Sequence, residues 1–339
     1  MQTPIFTVLV MTMLVTSVEM PYCFAQTEPS PSQNEADVLS APVHTTYRSG
    51  TSAKIPFEWV NGEIVVTATI AGVSELKLIV DTGIVNSCLG AESVMAARFP
   101  RGSTSYAVRG VGSDVLSGRR GQNISMVMAG MTISPAPMLI VSGQSFSAPM
   151  GMHIDGYVGY DILKNYVVKI DYIDNTIEFS DSLGPDTSRT GLPVPVTIEN
   201  GRIYVTAVIR NNGVDSAPTP FLMDTGCTIG MVLFRQFLRD NPRLTFPGGV
   251  EREMQGIGGP LIVEAAPCAE LRFGNAVLPD PYVQIMEHDP AGFASFTGLI
   301  GNQIWRHFDV TIDFPGKRLF LKKSALLDNN VRYIQLNSD

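Results

Sequence analysis

The chain has 339 residues, 45% of them hydrophobic, with a formal charge of -8 and an acidic pI near 5.1. That length and apolar content support a sizeable core and about two globular units. The acidic balance excludes nucleic acid and anionic membrane as main partners, because both attract basic surfaces.

In chain order, residues 1–25 come first, with an apolar core from Ile5 to Val18 followed by "PYCFA", whose small Ala25 precedes a polar stretch. This is the pattern of a cleaved signal peptide, too short to span a bilayer, and it implies a secreted or periplasmic protein with no membrane span. Residues 26–53 are rich in Ser, Pro and Thr without periodicity and read as a disordered linker or pro-segment. From Lys54 onward, short Val-, Ile-, Thr- and Tyr-rich runs alternate with Gly, Asn and Pro turns, so the fold is expected to be mostly β. Helix is expected to be scarce, its main pieces being the turn after "GYDILKN" and its counterpart "GNQIWRH".

The strongest internal signal is a duplication. "NGEIVVTATI" (Asn61 to Ile70) aligns without gaps to "NGRIYVTAVI" (Asn200 to Ile209), sharing seven of ten positions. Each copy opens with Asn-Gly, the hairpin dipeptide, and then alternates. A second block, Gly156 to Phe179, aligns to Gly298 to Leu321 and superposes Gly156 and Gly159 on Gly298 and Gly301. Between the blocks each half carries an apolar run ending in Asp-Thr-Gly, at Asp81 and at Asp224. The first lies 75 residues before Gly156 and the second 74 before Gly298. Two homologous lobes follow, 54–185 and 186–339.

A carboxylate at the end of an apolar strand is costly unless compensated. Duplication about an approximate two-fold axis brings equivalent residues together, so Asp81 and Asp224 are expected to meet and share one proton. Such a pair can activate a water and protonate a substrate carbonyl, cleaving an amide with no metal and no cofactor. Thr82 and Thr225 are expected to hydrogen-bond across the axis, with Gly83 and Gly226 permitting close backbone approach. Two glycine-rich tips about thirty residues further on, Gly110-Val111-Gly112-Ser113 and Gly256-Ile257-Gly258-Gly259, read as flaps over a bound chain.

As a set these features resemble the retropepsin-like aspartic peptidases in the bacterial two-lobed form. In that family Asp-Thr-Gly, a glycine-rich flap and a later apolar-apolar-Gly segment recur in each half. The later segments here are Tyr157-Val158-Gly159 and Leu299-Ile300-Gly301. The resemblance implies two closed β-barrel lobes related by a pseudo-two-fold axis, an intramolecular pseudo-dimer in a monomeric chain, and a peptide or unfolded protein as substrate. The sequence departs from the pattern at Ile84 and Cys227, where a small residue is usual, at Gly230, where Ser or Thr is common, and at Arg109 before the first flap. A peptide-binding module without turnover and a non-enzymatic β adhesin stay open beside the endopeptidase. Cys88, Cys227 and Cys268 stand at no metal-like spacing, and a Cys227–Cys268 bridge and free thiols both remain open. Asp155, Asp171 and Asp313 read as turn or strand-end acids.

Overall fold

A computed structural model describes residues 25–29, 45–46, 52–93, 99–134, 136–142, 146, 152–184, 191–289, 296–324 and 332–333. Residues 1–24 of the expected signal peptide lie outside them. The expected mostly β, two-lobed fold is present, as one large sheet per lobe and a six-stranded sheet that joins them.

Both Asn-Gly turns adopt the left-handed conformations that two-residue hairpins require, with φ of 49° and 90° at Asn61 and Gly62 and of 49° and 74° at Asn200 and Gly201. The first turn joins Glu58–Val60 to Glu63–Ile70, and the second joins Val196–Glu199 to Arg202–Asn211. Glu63–Ile70 then pairs with Val73–Val80, and Arg202–Asn211 with Thr219–Met223; each of these second strands ends one residue before an aspartate.

The later segments explain the two Asp-Thr-Gly positions. Gly156–Val158 runs parallel to Val73–Val80 with Val158 opposite Val80, and antiparallel to Cys88–Gly90 on its other side. Gly298–Ile300 repeats this between Thr219–Met223 and Met231–Leu233. The parallel ladders finish on the aspartates: the Asp81 amide donates to Val158 O and the Asp224 amide to Ile300 O, both at 3.0 Å.

The joining sheet runs Leu192–Val194, Arg318–Lys323, Phe308–Asp313, Val167–Asp171, Thr176–Ser180 and Ala53–Pro56. At its centre Val168 pairs with Ile312, Lys169 with Thr311 and Ile170 with Val310. Under the duplication Val168 is equivalent to Val310, Lys169 to Thr311 and Ile170 to Ile312. The pairing is therefore self-complementary, and the pseudo-two-fold axis passes between Lys169 and Thr311. One apolar core runs continuously through both lobes, from Val80 and Ile170 to Met223 and Ile312.

Helices occupy Tyr160–Leu163 and Asn302–Trp305, inside the "GYDILKN" and "GNQIWRH" stretches, the first of them within rather than after its stretch, and also Arg235–Asp240, which the sequence does not announce. That third helix is six residues long and has no side-chain hydrogen bond at its N-cap, Phe234. The segment 26–53 departs from a wholly unstructured linker: Ala25–Pro29 pairs with Arg101–Gly110, and Thr45–Thr46 with Met131–Ile133. Open sheet edges explain this, since their N–H and C=O groups accept an extended segment whatever its side chains.

Candidate active site

The two turns meet across the axis. A Cβ built on Gly226 would lie 2.2 Å from Asp81 Cγ and Oδ2, so the Asp81 carboxyl rests directly on the opposite turn. Asp81 and Asp224 are 1% and 0% exposed, and each carboxyl perturbs the other electrostatically.

A reciprocal grip by the threonines holds the turns in register. The Thr82 amide donates to Thr225 Oγ1 at 3.0 Å and the Thr225 amide to Thr82 Oγ1 at 3.1 Å. Each hydroxyl then donates to the carbonyl before the opposite aspartate, Thr82 to Met223 O and Thr225 to Val80 O, both at 2.8 Å. Both threonines are thus satisfied in a setting where an orphaned group would cost about 1–3 kcal/mol.

The two acids are not equivalent. Asp81 Oδ1 accepts the amides of Gly83 at 2.7 Å and Ile84 at 3.1 Å, whereas Asp224 Oδ1 accepts only Gly226, at 2.9 Å. Burial raises the pKa of Asp81, and the hydrogen bonds from Asp224, Gly83 and Ile84 oppose the rise. Burial and then the charge on Asp81 push Asp224 well above the ordinary carboxylate range. Two amides against one favour the anion on Asp81 over Asp224. The Oδ2 atoms of both acids have no hydrogen-bond partner in the protein.

The flaps meet at their tips. The Gly112 amide donates to Ile257 O at 3.0 Å and the Asp114 amide to Gly258 O at 2.8 Å. Gly258, at φ 90°, approaches so closely that a Cβ on Gly112 would lie 2.2 Å from its carbonyl carbon. The apolar tips are exchanged between lobes: Val111 packs with Leu222, Cys227 and Ile229, and Ile257 with Val65, Ile79 and Ile84. Of the other expected tip residues, Gly110 ends the strand Arg101–Gly110, Gly256 and Gly259 pair as the last residues of their hairpin, and Ser113 lies exposed with its hydroxyl toward Asp114 Oδ1 at 3.4 Å.

The departures from the family pattern acquire reasons here. Ile84 and Cys227 are fully buried apolar fillers, and the Ile84 amide serves Asp81. In the first lobe the Gly159 amide donates to Ser87 Oγ at 2.8 Å; in the second the equivalent Gly301 amide donates to the Gly230 carbonyl, also at 2.8 Å. Backbone thus replaces the hydroxyl. Ser87 is held in turn by Asp161, which accepts its amide at 3.0 Å and its hydroxyl at 2.6 Å. Burial lifts Asp161 to about 6 against the lowering effect of those bonds.

Three residues at the site carry no motif. Asn302 Nδ2 donates to Thr225 O at 2.6 Å and to Gly62 O at 2.8 Å, and Asn302 Oδ1 accepts from Tyr172 Oη at 2.9 Å. It ties the first-lobe hairpin to the second-lobe Asp-Thr-Gly turn. Its only trace in the sequence is a polar residue directly after Gly301, where the other copy has Tyr160. Glu63 is 0% exposed with both carboxyl oxygens unpartnered.

Cys88, Cys227 and Cys268 are free buried thiols. Asp171 Oδ1 accepts the amides of Ile173 and Asp174, Asp313 accepts Gly316 and Arg318, and Asp155 accepts Lys77 N and Ser93 Oγ. All three are the turn and strand-end acids expected. Among the described residues no group of His, Cys, Asp and Glu has metal-binding geometry, and no helix is long and apolar enough to cross a membrane.

Residues 194–304 match the aspartyl protease family, a span that takes in the whole second Asp-Thr-Gly turn and the glycine-rich tip Gly256–Gly259. A search of curated proteins returns no match. The fold is similar to the crystal structure of aspartic proteinase from Irpex lacteus, with a TM-score of 0.55 and 16% identity, covering 82% of this chain and 99% of that one. The second lobe thus matches the aspartyl protease family in sequence, and the two-lobed fold is similar to that of an aspartic proteinase.

Proposed function

We propose that the chain is an aspartic endopeptidase that hydrolyses peptide bonds in extended or unfolded polypeptides, with Asp81 and Asp224 as its catalytic pair. The observation that carries this reading is the contact of the Asp81 carboxyl with the Gly226 turn, which leaves two buried acids side by side with free outer oxygens under paired flaps. Asp81, ionised, takes a proton from a water held between the outer oxygens. Asp224 donates its proton to the scissile carbonyl oxygen, and the tetrahedral intermediate collapses with loss of the amine. The threonine grip fixes the geometry, and the flap amides and the apolar tips Val111 and Ile257 enclose the peptide once it displaces their mutual contact. The chain works as a monomer, since both halves of the pair lie on it, and reaches a secreted or periplasmic location through cleavage of residues 1–25.

The test is cleavage of an unfolded protein by the mature chain at mildly acidic pH, with inhibition by a statine-type compound. Asp224→Asn is expected to lower kcat by about 10²–10⁴-fold or beyond detection, the range for loss of a general acid. Peptide binding without turnover, unaffected by Asp224→Asn, would establish the binding-module reading instead.

A further inference from the structure

The catalytic pair is not the only buried acid in the seam between the lobes. Glu63 opens the strand Glu63–Ile70 directly after the Asn61-Gly62 turn. That turn reaches across to the second lobe: a Cβ on Gly62 would lie 3.0 Å from Thr228, and Gly62 O accepts from Asn302. Glu63 is 0% exposed, and neither carboxyl oxygen has a partner. Asp81 and Asp224 on the two Asp-Thr-Gly turns, the Cys227 thiol and Tyr172 are coupled to it electrostatically, and Arg306 acts on Tyr172 in turn. The duplication sharpens the oddity, because Glu63 falls at one of three positions where the first repeat block differs. Its equivalent is Arg202, which lies over the Phe296 ring at 5.7 Å and donates to Asn200 O.

Extending the dyad reading above, we propose that Glu63 is a positioning residue of the pair: a third carboxyl, kept neutral in the lobe seam, whose neutrality lets the two aspartates carry a single negative charge. A charged Glu63 would lie unpaired beside the anion on Asp81, and the hairpin that Asn302 holds against the catalytic turn would have to open to hydrate it. Burial and then the charge of Asp81 raise Glu63 well above its ordinary value, in the direction the geometry requires. The three acids form one coupled set that holds two protons in the working state.

Two measurements test this. The first is the pH profile of kcat and kcat/KM for wild type and Glu63→Gln, with Glu63→Met as the apolar alternative should the amide variant fold poorly. Wild type loses activity at rising pH when either Glu63 or the pair gives up a proton. Removing the Glu63 route is expected to move the alkaline limb upward by about half a pH unit or more, with kcat at acidic pH within a few fold. The second needs no turnover and follows denaturant unfolding against pH. Above the ordinary glutamate range, the wild-type unfolding constant should rise by up to about tenfold per pH unit more than that of Glu63→Gln. In an Asp81→Asn background this excess should end at a lower pH, because the charge facing Glu63 is gone. Identical pH slopes for wild type and Glu63→Gln, or an excess indifferent to Asp81→Asn, overturn the proposal. So does an unmoved alkaline limb in a folded variant. If wild type cleaves nothing, the peptidase reading falls while the unfolding data still decide the coupling.

Discussion

Gly226→Ala isolates the contact on which the proposed catalytic pair depends. The new Cβ would stand 2.2 Å from Asp81 Cγ and Oδ2 and 2.7 Å from Oδ1, where ordinary contact begins at 3.4 Å. The carboxyl or the turn must therefore retreat by about 1 Å, and a misplacement of that size costs about a hundredfold in rate. Backbone strain does not confound the change, since Gly226 is not among the residues of positive φ. Local overpacking should lower stability by about 1–3 kcal/mol. Gly230→Ala, four residues along the same loop, is the matched control. Its Cβ would find nothing nearer than Tyr282 O at 3.4 Å and Ile304 Cδ1 at 3.5 Å. Cleavage of a fluorogenic peptide, with urea unfolding of both variants, should show Gly226→Ala folded but at least about a hundredfold slower, and Gly230→Ala within a few fold of wild type. Equal rates for the two variants, whether both high or both low, would refute the idea that the pair is set by turn-to-turn contact.

Thr225→Val keeps the shape of the side chain but strands the Thr82 amide and the Val80 carbonyl in the core. At about 1–3 kcal/mol each, a loss of roughly 2–4 kcal/mol in urea unfolding is expected, with a fall in kcat that exceeds any change in KM. Asp161, at about 6 in the fold, is raised above its unfolded value, so it lowers stability progressively as pH climbs from the ordinary aspartate value to about 6. Against wild type, Asp161→Asn should flatten the pH dependence of unfolding in that window by up to about 1.4 kcal/mol per unit. Expression in a secreting host should yield a mature chain beginning at Gln26, read by intact mass; retention of residues 1–25 would refute the leader assignment.

The six-stranded joining sheet shows why so much of this architecture is legible in a linear chain. Its central pairing of Val168 with Ile312 and Ile170 with Val310 follows from a repeat visible in the sequence, since equivalent strands about a two-fold axis pair with each other's counterparts. The Asn-Gly hairpins are legible for a local reason: few dipeptides take the required left-handed turn at low cost. The helix Arg235–Asp240 is illegible by the same criterion, for it is short, lacks a capping side chain and is fixed by packing of the buried Phe237.

The candidate site divides along that line. Asp81, Asp224 and their threonines are determined by sequence alone, because a polar triplet at the end of an apolar strand, written twice at equal spacing, has few physical explanations. Only the tertiary structure decides which acid carries the proton, since that depends on two amides aimed at Asp81 against one at Asp224. Likewise the crossing of Val111 and Ile257 into opposite lobes, the bridge made by Asn302 and the isolation of Glu63 join residues that are distant in the chain. No local propensity encodes such contacts; they arise where surfaces from the two lobes are pressed together and water is excluded.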